Sequence, residues 1–124
     1  MTIRADDSVA VEIGAQAEEL AAGYLARHGY TILTRNFRCE GGELDIVAWD
    51  GATLCFVEVR ARRDEDHGHP LETIGPQKIR RLIRAAGAYL DEWRGACPVT
   101  RFDALGIVLS QAPSFTLVKE AFEA

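Results

Sequence analysis

No run of apolar residues in this chain is long enough to cross a bilayer, which takes roughly 20 of them. The first residues, Met1 to Asp7, lack the apolar segment of a signal peptide. There is no Cys-x-x-Cys pair, and the three cysteines, Cys39, Cys55 and Cys97, stand far apart. That argues against a disulfide framework and a cysteine-based zinc site, and reads as free thiols in a reducing compartment. Glycine-rich phosphate loops and Ser/His/Asp arrangements are missing as well. Nor is there a basic excess: 14 Lys and Arg against 19 Asp and Glu leave a net charge of −5. These absences predict a cytoplasmic protein without a membrane partner.

What is present is enough for one domain, residues 1–124. Of these residues, 48% are apolar, and a chain of this length buries roughly two-thirds of its unfolded surface. The charge is unevenly spread. Acids crowd the ends and the first periodic segment, while Arg60, Arg62, Arg63, Lys78, Arg80, Arg81 and Arg84 crowd the middle, interrupted by Asp64, Glu65 and Asp66. A local basic patch can bind a phosphate backbone even on an acidic chain.

Periodicity gives the order of elements. Residues from about Ser8 to His28 carry Gly14, Ala17, Leu20, Ala21, Tyr24 and Leu25 on one side of a helix that Gly29 ends. Strands are predicted over Tyr30 to Phe37, Glu43 to Trp49 and Thr53 to Arg62, the last two joined at Asp50-Gly51, a hairpin signal. Asp64 to Gly75 reads as loop. Pro76 opens a second helix, with Ile79, Leu82, Ile83, Ala86, Tyr89, Leu90 and Trp93 as its apolar stripe. Strands over Arg101 to Leu109 and Phe115 to Lys119 complete the chain. A helix between strands favours a crossover, hence an α/β fold with a mixed sheet and helices packed on it.

The hairpin points to chemistry. If the turn is Asp50-Gly51, Trp49 faces Ala52 and Asp45 is diagonal to Glu58; if it is Asp50 to Thr53, Trp49 faces Leu54 and Asp45 is directly opposite. Either even turn puts Asp45, Glu58 and Arg60 on one face, because side chains alternate with period two. Leu44, Ile46, Ala48, Cys55, Val57 and Val59 then make a wholly apolar opposite face, which an odd turn would break up. Two carboxylates within about 5–8 Å repel unless a cation lies between them. Oxygen ligands with open positions suit Mg²⁺ or Mn²⁺, ions able to activate water against a phosphodiester. The competing reading is a solvated face with Arg60 and Arg62 as ion-pair partners.

Other residues carry two readings each. Glu18 lies at the edge of the first helix's apolar stripe, where it either reaches the carboxylate pair or covers apolar surface with its stem. Lys78, Arg81 and Arg84 form a stripe on the second helix. Cations near a helix start oppose its dipole, so phosphate contact accounts for Lys78 and Arg81 as well as a solvated face does; Arg62 joins them as a candidate contact. His67 and His69 lack partners for a zinc set and read as loop residues near a substrate. Asp103, between Phe102 and Ala104, reads as a buried structural acid.

Several motifs together resemble the YraN family of uncharacterised bacterial proteins. They are Gly14-x-x-x-Glu18-x-x-Ala21, Gly29-Tyr30, Arg35-Asn36, Gly42-Glu43-Leu44-Asp45-Ile46, Phe56-Val57-Glu58-Val59, Lys78, Tyr89 and Arg101-Phe102-Asp103. The resemblance covers nearly the whole chain. That family is similar to restriction-endonuclease-like proteins, above all Holliday-junction resolvases, which implies a three-layer α-β-β-β-α-β-β core. It further implies a metal-dependent endonuclease acting on branched DNA. Glu18, Asp45 and Glu58 would be its acids and the Val59 carbonyl a metal ligand beside Asp45 and Glu58. Arg60 departs from the pattern, which has lysine there; arginine cannot act as a base but can stabilise charge on a phosphate, and Lys78 is the other candidate to supply the missing ammonium, from the second helix. A nucleic-acid-binding module without catalysis is the alternative. Resolvases of this kind act as dimers, and Trp49, Trp93 and the last strand are the candidate homodimer surfaces.

Overall fold

The computed structural model describes residues 5–66 and 68–123, with side chains from residue 14 onward. His67 therefore lies outside the described residues. The elements are α1 (Ala5–Arg27), β1 (Tyr30–Cys39), β2 (Gly42–Asp50), β3 (Thr53–Arg62), α2 (Pro76–Asp91), β4 (Val99–Val108) and β5 (Ser114–Phe122). A short 3₁₀ turn, Pro70–Thr73, interrupts what reads in the sequence as plain loop. His69 makes that turn, its Nδ1 accepting from the Leu71 amide at 3.2 Å.

The five strands form one sheet in the order β1-β2-β3-β4-β5. β1, β2 and β3 are antiparallel neighbours, β3 and β4 are parallel, and β5 returns antiparallel to β4. The parallel pair is the consequence of α2, since only a crossover can bring the chain back in the same direction.

A helix lies on each side of the sheet. Ala17, Ala21 and Leu25 of α1 pack on Ile46, Ala48, Cys55, Val57, Leu105 and Ile107. Leu82, Ala85 and Ala86 of α2 pack with Val47, Leu54, Phe56 and Phe102 on the other side. The result is the three-layer α/β architecture expected of a restriction-endonuclease-like core. Gly14, placed on the buried side of α1 by its wheel position, is exposed instead. Gly42 is where α2 comes nearest the β1–β2 turn: a side chain there would run into the Arg81 backbone.

The hairpin bears out one expectation and corrects two details. Trp49 pairs with Leu54, the register expected of the longer turn, but Asp50 and Thr53 pair as well, so the turn residues are Gly51 and Ala52. The apolar face is also not continuous along β2. Ile46 and Ala48 pack on the α1 side, but Leu44 packs on the α2 side with Val47. The strict alternation assumed for the strand fails at Asp45, just where the ladder to β3 ends at Ile46↔Val57.

The far end of the sheet is tied by a polar network around Asp103, which is fully buried. It accepts from the Tyr30 hydroxyl at 2.8 Å, from Arg101 Nε at 2.7 Å and from the Glu120 amide at 3.0 Å. Arg101 also reaches Asp50 at 2.7 Å. Burial alone would raise the Asp103 pKa, but the bonds from Arg101, Tyr30 and Glu120 outweigh it and hold the pKa below the usual range. One acid thus joins β1, β4 and β5, as the structural reading of Asp103 expects. Its contribution to stability is complete above the ordinary carboxylate pKa and is lost as pH falls through the depressed folded value. Tyr30→Phe removes one donor and should lower stability by about 1–2 kcal/mol at neutral pH. Urea unfolding at pH 7 and pH 3 checks both points, with the difference between the two proteins narrowing at the lower pH.

Candidate functional site

β2 and β3 part company after Ile46, and the space that opens is where the carboxylates meet. Asp45 no longer has a strand partner in the ladder. Its Oδ2 instead accepts from the Val59 amide at 2.8 Å, so a side chain takes the place of a backbone carbonyl. This fixes Asp45 next to Glu58, close enough for the two carboxyls to raise the Glu58 pKa by their interaction.

Glu58 is only 3% exposed. Burial pushes its pKa up to about 8, and the hydrogen bond to Asp45 and the Asp45 charge push the same way; Lys78 and Arg60 oppose them. Its Oε2 has the Lys78 ammonium at 3.2 Å. That contact lacks hydrogen-bond geometry, and Oε2 is left buried with no hydrogen-bond partner. A buried carboxylate oxygen without a donor is costly, by about 1–3 kcal/mol or more for a charged group.

Asp45 faces a cleft of about 550 Å³, walled by Gly14, Ala17 and Glu18 of α1, by Asn36 of β1 and by Val59 to Arg62 of β3, with Pro70 and Thr73 at its rim. Glu18 is therefore in the same cleft as Asp45. Its carboxylate is engaged by Arg35 at 3.2 Å and by the Asn36 side-chain amide. Among the described residues, no three His, Cys, Asp or Glu side chains come together as a group able to hold a metal. The structure thus brings Asp45 and Glu58 together and sets Glu18 beside them across the cleft.

The bases divide between the two sides of the sheet. Arg60 lines the cleft, and its Nε is buried without a hydrogen-bond partner. Arg62 stands at the cleft wall. Lys78 is neither on a solvated face nor free on the helix surface; it turns inward to Glu58 and is 22% exposed. Arg81 is exposed and shares a second groove with Lys78, Arg38 and the Gly41-Gly42 turn. His69 donates or accepts at Thr116 of β5, 3.3 Å away, away from the carboxylates.

Asn36 lies between the Arg35↔Ile46 and Phe37↔Leu44 pairs, as Asp45 does on the neighbouring strand. Sequence reasoning gave it no role, because nothing in the pattern shows that the strand distorts there. Two signals were available: its place in the Arg35-Asn36 motif, and its residue type, since asparagine tolerates left-handed backbone better than most.

The donor set can be tested against a divalent cation from these contacts alone. Two carboxyl groups sit side by side, one with an unsatisfied buried oxygen, next to an open cleft, and this is a donor set that suits a hard cation of the Mg²⁺ or Mn²⁺ kind. Without a cation, the raised pKa of Glu58 means that folding favours its neutral form. Stability should then fall as pH rises from about 4.5 to about 8. Glu58→Gln, which mimics the neutral acid, should match the parent near pH 4.5 and exceed it by about 1–3 kcal/mol above pH 8 in EDTA. Thermal melts across that range check it, and equal stabilities at the high end would contradict the burial account.

Comparison with known proteins gives a consistent picture. Residues 17–107 match the family described as Uncharacterised protein family UPF0102. A UPF0102 protein of Chlorobium limicola is 47% identical over 96 residues, covering 77% of this chain and 74% of its own length. One from Chlorobium chlorochromatii is 45% identical over 118 residues, covering 90% and 91%. Another, from Geobacter metallireducens, is 44% identical over 112 residues, covering 90% and 92%. The matched span runs from α1 to β4 and includes Glu18, Asp45, Glu58, Arg60 and Lys78, so the chain belongs to the UPF0102 family, the YraN family that its motifs resemble.

Proposed function

We propose that the protein is a metal-dependent endonuclease that hydrolyses phosphodiester bonds in branched or structured DNA in the cytoplasm. The observation that carries this reading is the buried Glu58 carboxyl held against Asp45, with one oxygen lacking a hydrogen-bond partner, at the edge of an open cleft. The Asp45 and Glu58 carboxylates and the Val59 carbonyl would hold Mg²⁺ or Mn²⁺. When bound, such an ion supplies a water of lowered pKa and neutralises charge on the phosphodiester.

The remaining roles belong to the chain's own groups. Glu18 adds a third acid across the cleft. Arg60 cannot take a proton at working pH, so its part is to stabilise negative charge developing on the phosphate. Lys78 balances Glu58 from the α2 side and, with Arg81 and Arg62, offers positive charge to flanking phosphates. Cutting two strands of a junction symmetrically calls for a homodimer. Trp49 and Trp93 already pack edge to face with ring centroids 5.8 Å apart within one chain, which leaves β5, an outer strand of the sheet, as the freer contact surface.

A second reading has an observation of its own. Arg60 stands where lysine serves in related nucleases, and this favours a module that binds nucleic acid without cutting it. A four-way junction assay with Mg²⁺ separates the two. Cleavage by the parent that drops at least about 100-fold in Asp45→Asn supports the nuclease. Cleavage unaffected by that change would place the activity elsewhere. Binding that weakens steeply with salt, without any cutting, would favour the non-catalytic module.

A further inference from the structure

Asn36 has φ 57, a left-handed backbone inside a β-strand. That conformation is uncommon for a residue other than glycine and costs on the order of 1 kcal/mol or more. The strand does not need it for pairing, since Arg35↔Ile46 and Phe37↔Leu44 flank it in regular register. What it changes is side-chain direction. Consecutive residues of a strand point to opposite faces, yet Arg35 and Asn36 both reach the same carboxylate oxygen, Oε1 of Glu18. The distortion at Asn36 is what lets two neighbours of one strand serve one acid on a different element.

The acid they hold is half-buried at the cleft wall, with a side-chain exposure of 29%. Both Glu18 and Asn36 line the cleft that Asp45 faces. Glu18 would gain ordinary helix-surface contacts without any of this. Glu19, its neighbour on α1, takes an Arg35 contact at 2.8 Å while 76% exposed, with no help from Asn36. The strained residue is thus spent on the cleft-facing acid alone.

We infer that Asn36 is a positioning residue, which sets the Glu18 carboxylate toward the cation held by Asp45 and Glu58. This rests on the metal reading of those two acids. Arg35 shares the task, but its contact with Glu19 also ties β1 to α1 for stability. Among the described residues the Asn36 side chain bonds Glu18 alone, and so its amide can be removed with little other effect.

The test is Mn²⁺ binding, measured by calorimetry or by the loss of the free-ion EPR signal, and needs no turnover. Glycine accepts φ 57 without strain, so Asn36→Gly should keep the fold, with a melting temperature close to the parent's. Its Mn²⁺ dissociation constant should rise about tenfold, the scale of losing a group that orients a ligand. Glu18→Gln should weaken binding by a similar factor, and the double variant should be no weaker than Glu18→Gln alone. Additive losses in the double variant, or parent-like affinity in Asn36→Gly beside a weakened Glu18→Gln, would overturn the positioning role. If Asp45→Asn abolishes binding while both Glu18→Gln and Asn36→Gly leave it intact, the metal reading stands and this inference falls. If the parent binds no Mn²⁺, the metal reading itself falls and takes this inference with it.

Discussion

Burying Glu58 beside Asp45 is the constraint that the surrounding structure answers to. A carboxyl at 3% exposure, next to a second carboxyl, loses hydration and gains repulsion. A sheet under no functional demand would carry an apolar residue at that position, as Phe56 and Leu54 do on the same side. Instead β2 breaks its ladder, Asp45 turns to the Val59 amide, and α2 sends Lys78 inward to offset the charge. Each of these departs from what strand pairing or helix stability alone would select. They share one beneficiary, a pair of acids at the edge of a cleft.

The rest of the fold supplies rigidity for that departure. The cores on either side lock the central strands in place, and the Asp103 network ties the opposite end of the sheet across three strands. The site end is consequently free to depart from ideal geometry, with an interrupted ladder at Asp45 and left-handed backbone at Asn36, while the far end stays closed. Stability and site geometry are handled by different residues, which is why Tyr30 and Glu58 are expected to respond in opposite ways to loss of their polar atoms.

Much of this was legible in the sequence, and the particular residues show why. Helical spacing and Pro76 located α2, and the even hairpin turn put Asp45 near Glu58 with no knowledge of three-dimensional contacts. The motif resemblance then pointed to the family. What the pattern hid was local distortion. Period-two reasoning assumes an unbroken strand, so it kept Leu44 with Ile46, although the two pack on opposite sides of the sheet. For Lys78 it left a helix-surface cation and an ammonium turned toward the acids both open, because a helical wheel shows direction around the axis but not that a buried acid lies within reach. Asn36 escaped for the same reason as Leu44: a backbone that leaves the strand region has no signature in hydrophobic spacing. The turn between β3 and α2 was missed as an element since four residues are too few for any period.

The central claim is that Asp45 and Glu58 are a place for a cation and not merely two acids sharing a proton. Crystals soaked in Mn²⁺ and measured at its absorption edge address this most directly. The account predicts an anomalous peak between the Asp45 and Glu58 carboxylates, within coordination reach of the Val59 carbonyl. A clean map at that position, with Glu58 and Asp45 still side by side, would contradict it.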